Sequence, residues 1–263
     1  MAHVVPLLGV ITLLGILIGS FLNVVIGRVP EGKSVVRPPS ACPRCQSPIS
    51  PRDNIPIVSW LILRAKCRNC ALPISARYPL IEAATGVLFG LTAWRVGWVA
   101  ELPAILLFVA GGIALSAIDV EHLRLPNAVV YPLLALVGAA LATAAAASGD
   151  WDRLVWVAAG GVATAAALFV IVFATKGRGM GMGDVRLALV LGAVTGWYGP
   201  GRSLLGLFLG FVVGSVIGVG LTARTGKLKG VKMPFGPSLI AGCWIAVLWG
   251  GPVWGWYRRK MGL

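Results

Sequence analysis

Two aspartates stand at the edges of apolar segments, where an ionisable side chain is uncommon. The apolar stretch 102–119 ends in Asp119, and Asp184 closes the run Gly181-Met182-Gly183 just before a further apolar stretch. An ionisable residue at the edge of a membrane-spanning segment is energetically costly and points to a function. We take these two carboxyl groups as the candidate catalytic pair.

Two carboxyl groups held close together can hydrolyse an amide because both cannot ionise, so the pair shares one proton. The ionised member takes a proton from water, and the protonated member polarises the scissile carbonyl. Gly181 and Gly183 would let an extended substrate approach the backbone closely, and Glu121 could assist electrostatically. The alternative is that these are helix-end charges, with Asp184 as a helix N-cap and Glu121 as a solvated loop residue.

Four cysteines form two C-x-x-C pairs, Cys42 with Cys45 and Cys67 with Cys70. Two such turns can complete a tetrahedral site of four sulfurs, so the pattern predicts a structural zinc, although the separation lies just beyond the usual zinc-ribbon range. We expect the neighbouring cations of residues 44, 66 and 68 to lower the thiol pKa values. A redox pair or free thiols would be the alternative. Cys243 lies in an apolar segment and is expected to be a packing residue.

The composition predicts an all-α membrane protein. Hydrophobic residues make up 57% of the 263 residues and charged residues 12%, whereas a soluble domain carries roughly 25% charged residues. A membrane-spanning helix needs about 20 mostly apolar residues. We therefore expect about eight spans, one of them short, at residues 5–27, 78–96, 102–119, 128–147, 154–174, 187–199, 203–222 and 234–257.

The placement of the charges excludes nucleic acid as the reason for the net charge of +14. Lysine and arginine concentrate in alternate loops, which is the positive-inside pattern. It places the N-terminus outside, the loop 28–77 in the cytoplasm, and both aspartates at the cytoplasmic edge. The basic residues 258–260 disagree with eight spans, since they would lie outside.

Three regions are expected: a first transmembrane helix at 1–27, a cytoplasmic four-cysteine loop domain at 28–77, and a multi-helix membrane domain at 78–263. The loop domain is too small to form a core without a metal. Its apolar stretch 55–63 is too short to span and is expected at the membrane interface or against the bundle. No convincing internal repeat is evident.

Several motifs together resemble the prepilin peptidases, a family of GxGD-type membrane aspartyl proteases. These motifs extend over residues 19–237 in the order typical of that family. They are Gly19-Ser20-Phe21-Leu22-Asn23-Val24-Val25, the paired C-x-x-C loop, Asp53-Asn54-Ile55-Pro56, Arg77-Tyr78-Pro79, Asp119-Val120-Glu121 with Pro126-Asn127, Gly181-Met182-Gly183-Asp184 and Pro234-Phe235-Gly236-Pro237.

The resemblance implies an enzyme of two activities in the bacterial inner membrane. It would cut type IV prepilins or pseudopilins after the Gly that ends their leader, with Asp119 and Asp184 as catalytic residues. It would then methylate the new N-terminus, often a Phe, with S-adenosylmethionine. Arg186 stands where many members have Lys, and Met180 and Met182 vary the glycine run. No nucleotide fingerprint marks the methyl-donor site, so its residues are not assigned.

Two other classes of function remain open from the residues alone. In a proton-coupled transporter, Asp119 and Asp184 would relay protons, although a carrier places its site near the middle of the membrane. A non-enzymatic assembly factor would instead use the cysteine loop as a docking surface.

Overall fold

The computed structural model describes residues 4–225 and 233–261, and within these ranges the regular elements are helices. The described loop also contains two isolated β-bridges, Ala41 with Pro48 and Lys66 with Pro73. The all-α fold class is therefore confirmed. The chain forms two compact units, Met1–Arg95 and Val96–Leu263.

The first unit consists of two long helices and the cysteine-bearing loop between them. Its elements are α1 (Val4–Arg28), 3₁₀ turns at Val29–Glu31 and Pro51–Asp53, α2 (Val58–Ile62) and α3 (Arg77–Val96). Glycines let α1 approach α3 closely: a Cβ on Gly15 would lie 2.8 Å from the Thr85 carbonyl oxygen, and one on Gly19 would lie 2.7 Å from Glu82 Cα. Small residues at such crossings are typical of helices packed in a membrane.

The second unit is a bundle of six helices. They are α4 (Leu102–His122), α5 (Asn127–Ser148), α6 (Asp152–Ala174), α7 (Met182–Gly196), α8 (Pro200–Thr225) and α9 (Gly236–Met261). Helix α4 ends where Leu123 adopts a left-handed conformation and its N–H donates to the Asp119 carbonyl at 2.8 Å. Pro126 then precedes α5 in an extended conformation.

Helix α7 lies at the centre of this bundle and contacts each of the other five helices. Almost every residue from Asp184 to Gly196 is buried. Its closest neighbour is α6, because a Cβ on Gly192 would collide with the backbone of Gly160, and one on Gly196 would collide with the Trp156 carbonyl. A helix surrounded by protein does not need the length that crossing lipid requires, so its 15 residues suffice.

Six helices in the described part of the chain are long and apolar enough to cross a membrane, rather than about eight. They are Pro6–Glu31, Leu102–His122, Asn127–Ser148, Asp152–Ala174, Pro200–Ala223 and Gly236–Trp256. The expected segments 78–96 and 187–199 do form helices, α3 and α7. Helix α3 contains Arg77, Glu82 and Arg95, which lower its hydropathy, and α7 is short.

The apolar stretch 55–63 forms the short helix α2 and leaves several large apolar side chains exposed. Val58, Leu61 and Ile62 are 46%, 61% and 71% exposed. This surface fits the expected place at a membrane interface or against other helices. The basic residues at 227, 229 and 232, which contributed to the expected topology, lie outside the described residues.

The close approach of α6 and α7 gives a first testable expectation. Gly192→Ala should lower the free energy of unfolding by about 1–3 kcal/mol, because the added methyl group forces two backbones apart. Thermal unfolding in detergent micelles measures this. Gly138→Ala on α5, where the added carbon meets no neighbouring element within 4 Å, is the matched control and should be neutral or slightly stabilising. Equal stability of the two variants would contradict this description of the α6–α7 contact.

Candidate active site and metal centre

Asp119 lies in the last turn of α4 with its side chain pointing into the second unit, where the residue is only 6% exposed. Its Oδ2 accepts a hydrogen bond from the backbone N–H of Gly236 at 3.1 Å. Gly236 is the first residue of α9, so the carboxylate occupies the positive end of that helix. The hydrogen bond also joins two helices that are far apart in the sequence.

Asp184 lies in the first turn of α7 and is 8% exposed. Its Oδ2 accepts from the N–H of Gly181 at 3.1 Å, and its own N–H donates to the Gly181 carbonyl at 3.1 Å. Gly181, in an extended conformation, is the N-cap residue. Asp184 therefore caps its helix from the third helical position rather than from the N-cap position.

The structure brings the two carboxyl groups into one neighbourhood. Asp119 acts electrostatically on Asp184, and the side chain of Leu125 lies against Gly183 and Gly236. A Cβ on Gly183 would be 3.2 Å from Leu125 Cβ, and one on Gly236 would be 3.3 Å from Leu125 Cδ2 and 2.9 Å from Asp119 Oδ2. Glycine at 183 and 236 thus leaves space for the Leu125 side chain and the Asp119 carboxylate.

The two glycines of the GxGD motif differ in their surroundings. Gly183 faces Leu125 closely, as described above, whereas a Cβ on Gly181 would meet its nearest atoms at an ordinary 3.8 Å. Close packing therefore accounts for glycine at 183. At 181 the extended backbone is one that other residues also adopt, so packing does not explain that glycine.

Glu121 lies on the exposed side of the end of α4, whereas Asp119 is buried. Its Oε2 lies 4.0 Å from Nε2 of the exposed His122. The electrostatic role expected for Glu121 stays a prediction.

One polar contact near the pair was not predicted. Arg186 Nη1 donates to Asn127 Oδ1 at 2.9 Å, which ties the start of α7 to the start of α5. Asn127 belongs to a motif noted above and Arg186 follows another by two residues, but 59 residues separate the two. This contact could not be predicted from the spacing of the motifs, because it depends on how the helices of the bundle pack.

The four cysteines of the first unit come together. All four sulfur atoms lie within 4.8 Å of one another, and Cys42 Sγ is 3.9 Å from Cys70 Sγ. In a tetrahedral site with Zn–S bonds of about 2.3 Å, neighbouring sulfurs are about 3.8 Å apart. The sulfur positions therefore fit a four-thiolate metal site, and these cysteines are the residues that would hold the ion.

The two C-x-x-C turns repeat one another in sequence and in hydrogen bonding, although no internal repeat was expected. The pattern C-x-x-C-x-x-P-I-S occurs at residues 42–50 and again at 67–75. Gln46 N–H donates to the Cys42 carbonyl and Ala71 N–H to that of Cys67, both at 2.9 Å. Gln46 and Ala71 also share a positive φ, 59° and 55°. The expectation was wrong because the repeat is short and its intervening residues differ.

Hydrogen bonds, rather than the neighbouring cations, account for the thiol acidity. The side chain and backbone of Ser47 donate to Cys45 and lower its pKa to about 6. Backbone N–H groups of Cys70 and Asn69 lower the pKa of Cys67. For Cys70, the Leu72 N–H favours the thiolate, but burial and the other three sulfurs outweigh it and raise the pKa to about 11. The expected role of the basic side chains was therefore wrong.

Arg68 is instead engaged with Asp53 through two hydrogen bonds of 2.8 and 2.6 Å, one from Nε and one from Nη2. The guanidinium holds the pKa of Asp53 below its usual range. This bidentate pair links the 3₁₀ turn Pro51–Asp53 to the second cysteine turn.

A groove of about 400 Å³ lies in the first unit, between α1 and the loop that follows it. Its walls include Leu17, Ser20, Phe21 and Val24 on α1, with Pro38 and Asn54 from the loop. Arg28, which also borders it, donates to the carbonyls of Ser34 and Pro39 at 3.0 and 3.3 Å and so holds the loop wall. We call this cavity the first-unit groove. Its volume lies in the range of about 300–1,000 Å³ usual for small-molecule sites.

Comparison with known proteins matches the sequence to two family models. Residues 13–96 match the Bacterial Peptidase A24 N-terminal domain, and residues 106–219 match the Type IV leader peptidase family. No solved structure gives a significant match.

Full-length relatives share one name. The chain is 38% identical to the prepilin leader peptidase/N-methyltransferase of Pseudomonas aeruginosa, over 95% of this chain and 93% of that protein. It is 36% identical to the enzyme of the same name from Neisseria gonorrhoeae, over 95% and 92%, and 34% identical to that from Aeromonas hydrophila, over 98% and 96%. The resemblance seen in the motifs is thus confirmed.

The cysteine cluster predicts about one tightly bound metal ion per chain. Cys42→Ser or Cys67→Ser should lower the metal content severalfold, because each removes one of four ligands. Elemental analysis of purified protein measures this. Cys243→Ser, which changes a buried cysteine of α9 outside the cluster, should retain the full content. Metal-free wild-type protein, or equal loss in all three variants, would contradict the site.

Proposed function

The chain belongs to the type IV leader peptidase family, and from that premise we propose that it is a membrane aspartyl endopeptidase that removes leaders from type IV prepilins or pseudopilins. It cleaves after the Gly that ends the leader and then methylates the new N-terminal amine. The observation that carries the peptidase assignment is the convergence of two buried carboxyl groups, Asp119 and Asp184. They belong to the segment 106–219, which matches the peptidase family model.

In the proposed mechanism the two carboxyl groups share one proton. The ionised carboxylate accepts a proton from water, which attacks the scissile carbonyl, while the protonated carboxyl donates a hydrogen bond to the carbonyl oxygen. Each group is held by one backbone N–H, from Gly236 and Gly181 respectively. These bonds fix one oxygen of each carboxyl group and leave the other for water or substrate.

The peptidase site is proposed at the cytoplasmic face of the bacterial inner membrane, in a multi-pass protein. Two apolar helices, α5 and α6, separate Asp119 from Asp184 along the chain. An even number of crossings returns the chain to the same side, which supports a shared face for the two residues. A prepilin N-terminal segment and the lipid bilayer are the proposed partners.

The four-cysteine cluster is proposed to hold a structural Zn²⁺. Its sulfur distances support four-thiolate coordination, and such a site leaves no open position for water or substrate. Bound zinc would order a loop that has little core of its own. It would not take part in hydrolysis.

The methyl donor is proposed to be S-adenosylmethionine, which supplies an activated methyl group. The first-unit groove supports a place for it, since its volume suits a small molecule and its walls combine apolar side chains with Arg28 and Asn54. Nothing in the relatives or in the described residues favours the alternative of a proton-coupled transporter.

Loss of either aspartate tests the peptidase assignment. Asp119→Asn and Asp184→Asn should each lower the cleavage rate of a prepilin leader peptide by about 10²–10⁴-fold, because a single carboxyl group cannot share a proton. Asp150→Asn, which alters an exposed carboxylate of the same unit, is the matched control. The assay uses purified protein, with mass spectrometry to locate the cut and thermal unfolding to confirm the fold. Near-normal turnover by both variants would rule out the carboxyl pair.

Metal removal separates a structural zinc from a catalytic one. A chelator strong enough to extract the ion should disorder the residues around 42–70 and lower the unfolding temperature, while part of the cleavage activity survives. Circular dichroism and the cleavage assay, followed over the same time course, distinguish the two roles. Immediate loss of cleavage with an intact fold would instead place the metal in the hydrolytic chemistry.

A further inference from the structure

Glu82 is a buried carboxyl group that the peptidase mechanism does not use. It lies on α3 in the first unit, Met1–Arg95, whereas both aspartates belong to the second. The residue is 7% exposed, and its Oε2 accepts a hydrogen bond from the N–H of Ile57 at 2.7 Å. Ile57 adopts a positive φ of 61°, which is uncommon for a β-branched residue.

Among the described residues, the charge of Glu82 has no compensating cation. In the part of the chain that the structure describes, no Lys or Arg forms an ion pair with it. The Ser20 hydroxyl lies beside its carboxylate. Since a buried carboxylate without a cation is costly, this arrangement fits a site that receives a cationic ligand.

Ser20 connects Glu82 to the first-unit groove. It lines that groove, and its hydroxyl lies beside the Glu82 carboxylate, so it is placed between Glu82 and a group in the groove. Gly19 makes this contact possible, because any side chain there would strike the Glu82 backbone. One turn further along α1, Asn23 Oδ1 is buried without a hydrogen-bond partner among the described residues, which adds a free acceptor to the same helix face.

We propose that Ser20 and Glu82 form the proton-accepting site for N-methylation, with the substrate's α-amino group placed in the first-unit groove. This inference rests on the proposed function, in that it assigns residues to the second of the two activities. The apolar walls at Leu17, Phe21 and Val24 suit an apolar first side chain of the processed substrate.

The chemistry requires a proton acceptor because an α-ammonium group has no lone pair. Below its pKa of about 7.7–8.0, the amine must first lose a proton. The N–H bond breaks as the proton passes to Ser20 Oγ and the Ser20 hydroxyl hydrogen passes to Glu82. The neutral amine then forms its N–C bond with the donor's methyl group while the C–S bond breaks and its electron pair stays on sulfur. Glu82 afterwards releases its proton to water.

The decisive experiment measures methylation of an already cleaved peptide with a free N-terminus, so that peptidase activity is not required. Glu82→Gln keeps an acceptor oxygen for Ile57 but removes the charge. We expect the methylation rate of this variant to be about tenfold below that of wild type at pH 6.5 and within about twofold of it at pH 9. The reason is that the neutral fraction of the amine rises from about 5% to about 90% between these pH values, so a proton acceptor is no longer needed. Calorimetry should give an unchanged Kd for S-adenosylmethionine, and cleavage of intact precursor should be retained.

Two further variants make the result specific. Ser20→Ala leaves the Glu82–Ile57 hydrogen bond in place and should show the same recovery of the methylation rate at high pH. It serves as the test variant if Glu82→Gln does not fold. Glu31→Gln, an exposed carboxylate of the same unit, should match wild type throughout. Wild-type rates for both site variants at pH 6.5 would overturn the inference. So would a loss that high pH does not restore, or that accompanies loss of S-adenosylmethionine binding.

The failure of this inference differs from the failure of the proposed function. If the wild-type protein cleaves the intact precursor but never methylates the cleaved peptide, the proton-accepting site is wrong and the peptidase stands. If the wild-type protein does not cleave the precursor at all, the peptidase assignment fails. Because the cleaved peptide is supplied directly, its methylation can be measured whether or not the protein cleaves the precursor.

Discussion

Close approach of helix backbones at glycine is the constraint on which both units depend. Between helices surrounded by lipid, water gives no hydrophobic driving force, so van der Waals contact and hydrogen bonds must hold the helices together. Gly160 and Gly192 bring α6 against α7, and Gly19 brings α1 against α3. In each unit this contact places a buried carboxyl group: Asp184 opens the helix that α6 supports, and Glu82 lies directly opposite Gly19. Packing and chemistry are therefore set by the same contacts.

Backbone N–H groups at the ends of helices make the buried carboxyl groups tolerable. Asp119 and Asp184 each accept one such bond, and each lies at the positive end of a helix dipole. Glu82 instead accepts a hydrogen bond from a loop N–H and lies beside the Ser20 hydroxyl. The first two groups are thereby placed for acid–base chemistry on an amide, and the third for accepting a proton from an amine. One chain can thus support two reactions, because its buried carboxyl groups are surrounded by different hydrogen-bond donors.

The sequence was sufficient to predict the features that depend on local pattern. The apolar segments, the cysteine pairs and the two aspartates were all recognisable, because residue type and spacing carry that information. Contacts between distant segments were not predictable: the Arg186–Asn127 hydrogen bond and the place of Leu125 beside Gly183 and Gly236 depend on how the bundle closes. Six described helices have the length and hydropathy of a span, against about eight expected, because α7 is short and α3 carries charged residues. Thiol acidity was assigned to cations because hydrogen-bond direction cannot be read from residue order.

The duplicated cysteine turns have a consequence for how the loop folds. Each turn closes its own backbone hydrogen bonds, Gln46 to Cys42 in one and Ala71 to Cys67 in the other, without reference to its counterpart. Each half can therefore form locally, and the ion has only to join two finished halves. The conformational entropy lost on joining them grows with the logarithm of the intervening chain, about 3 kcal/mol for a segment of roughly twenty residues. Substitutions or insertions between the turns should therefore change metal affinity little, whereas a change inside either turn removes half of the site.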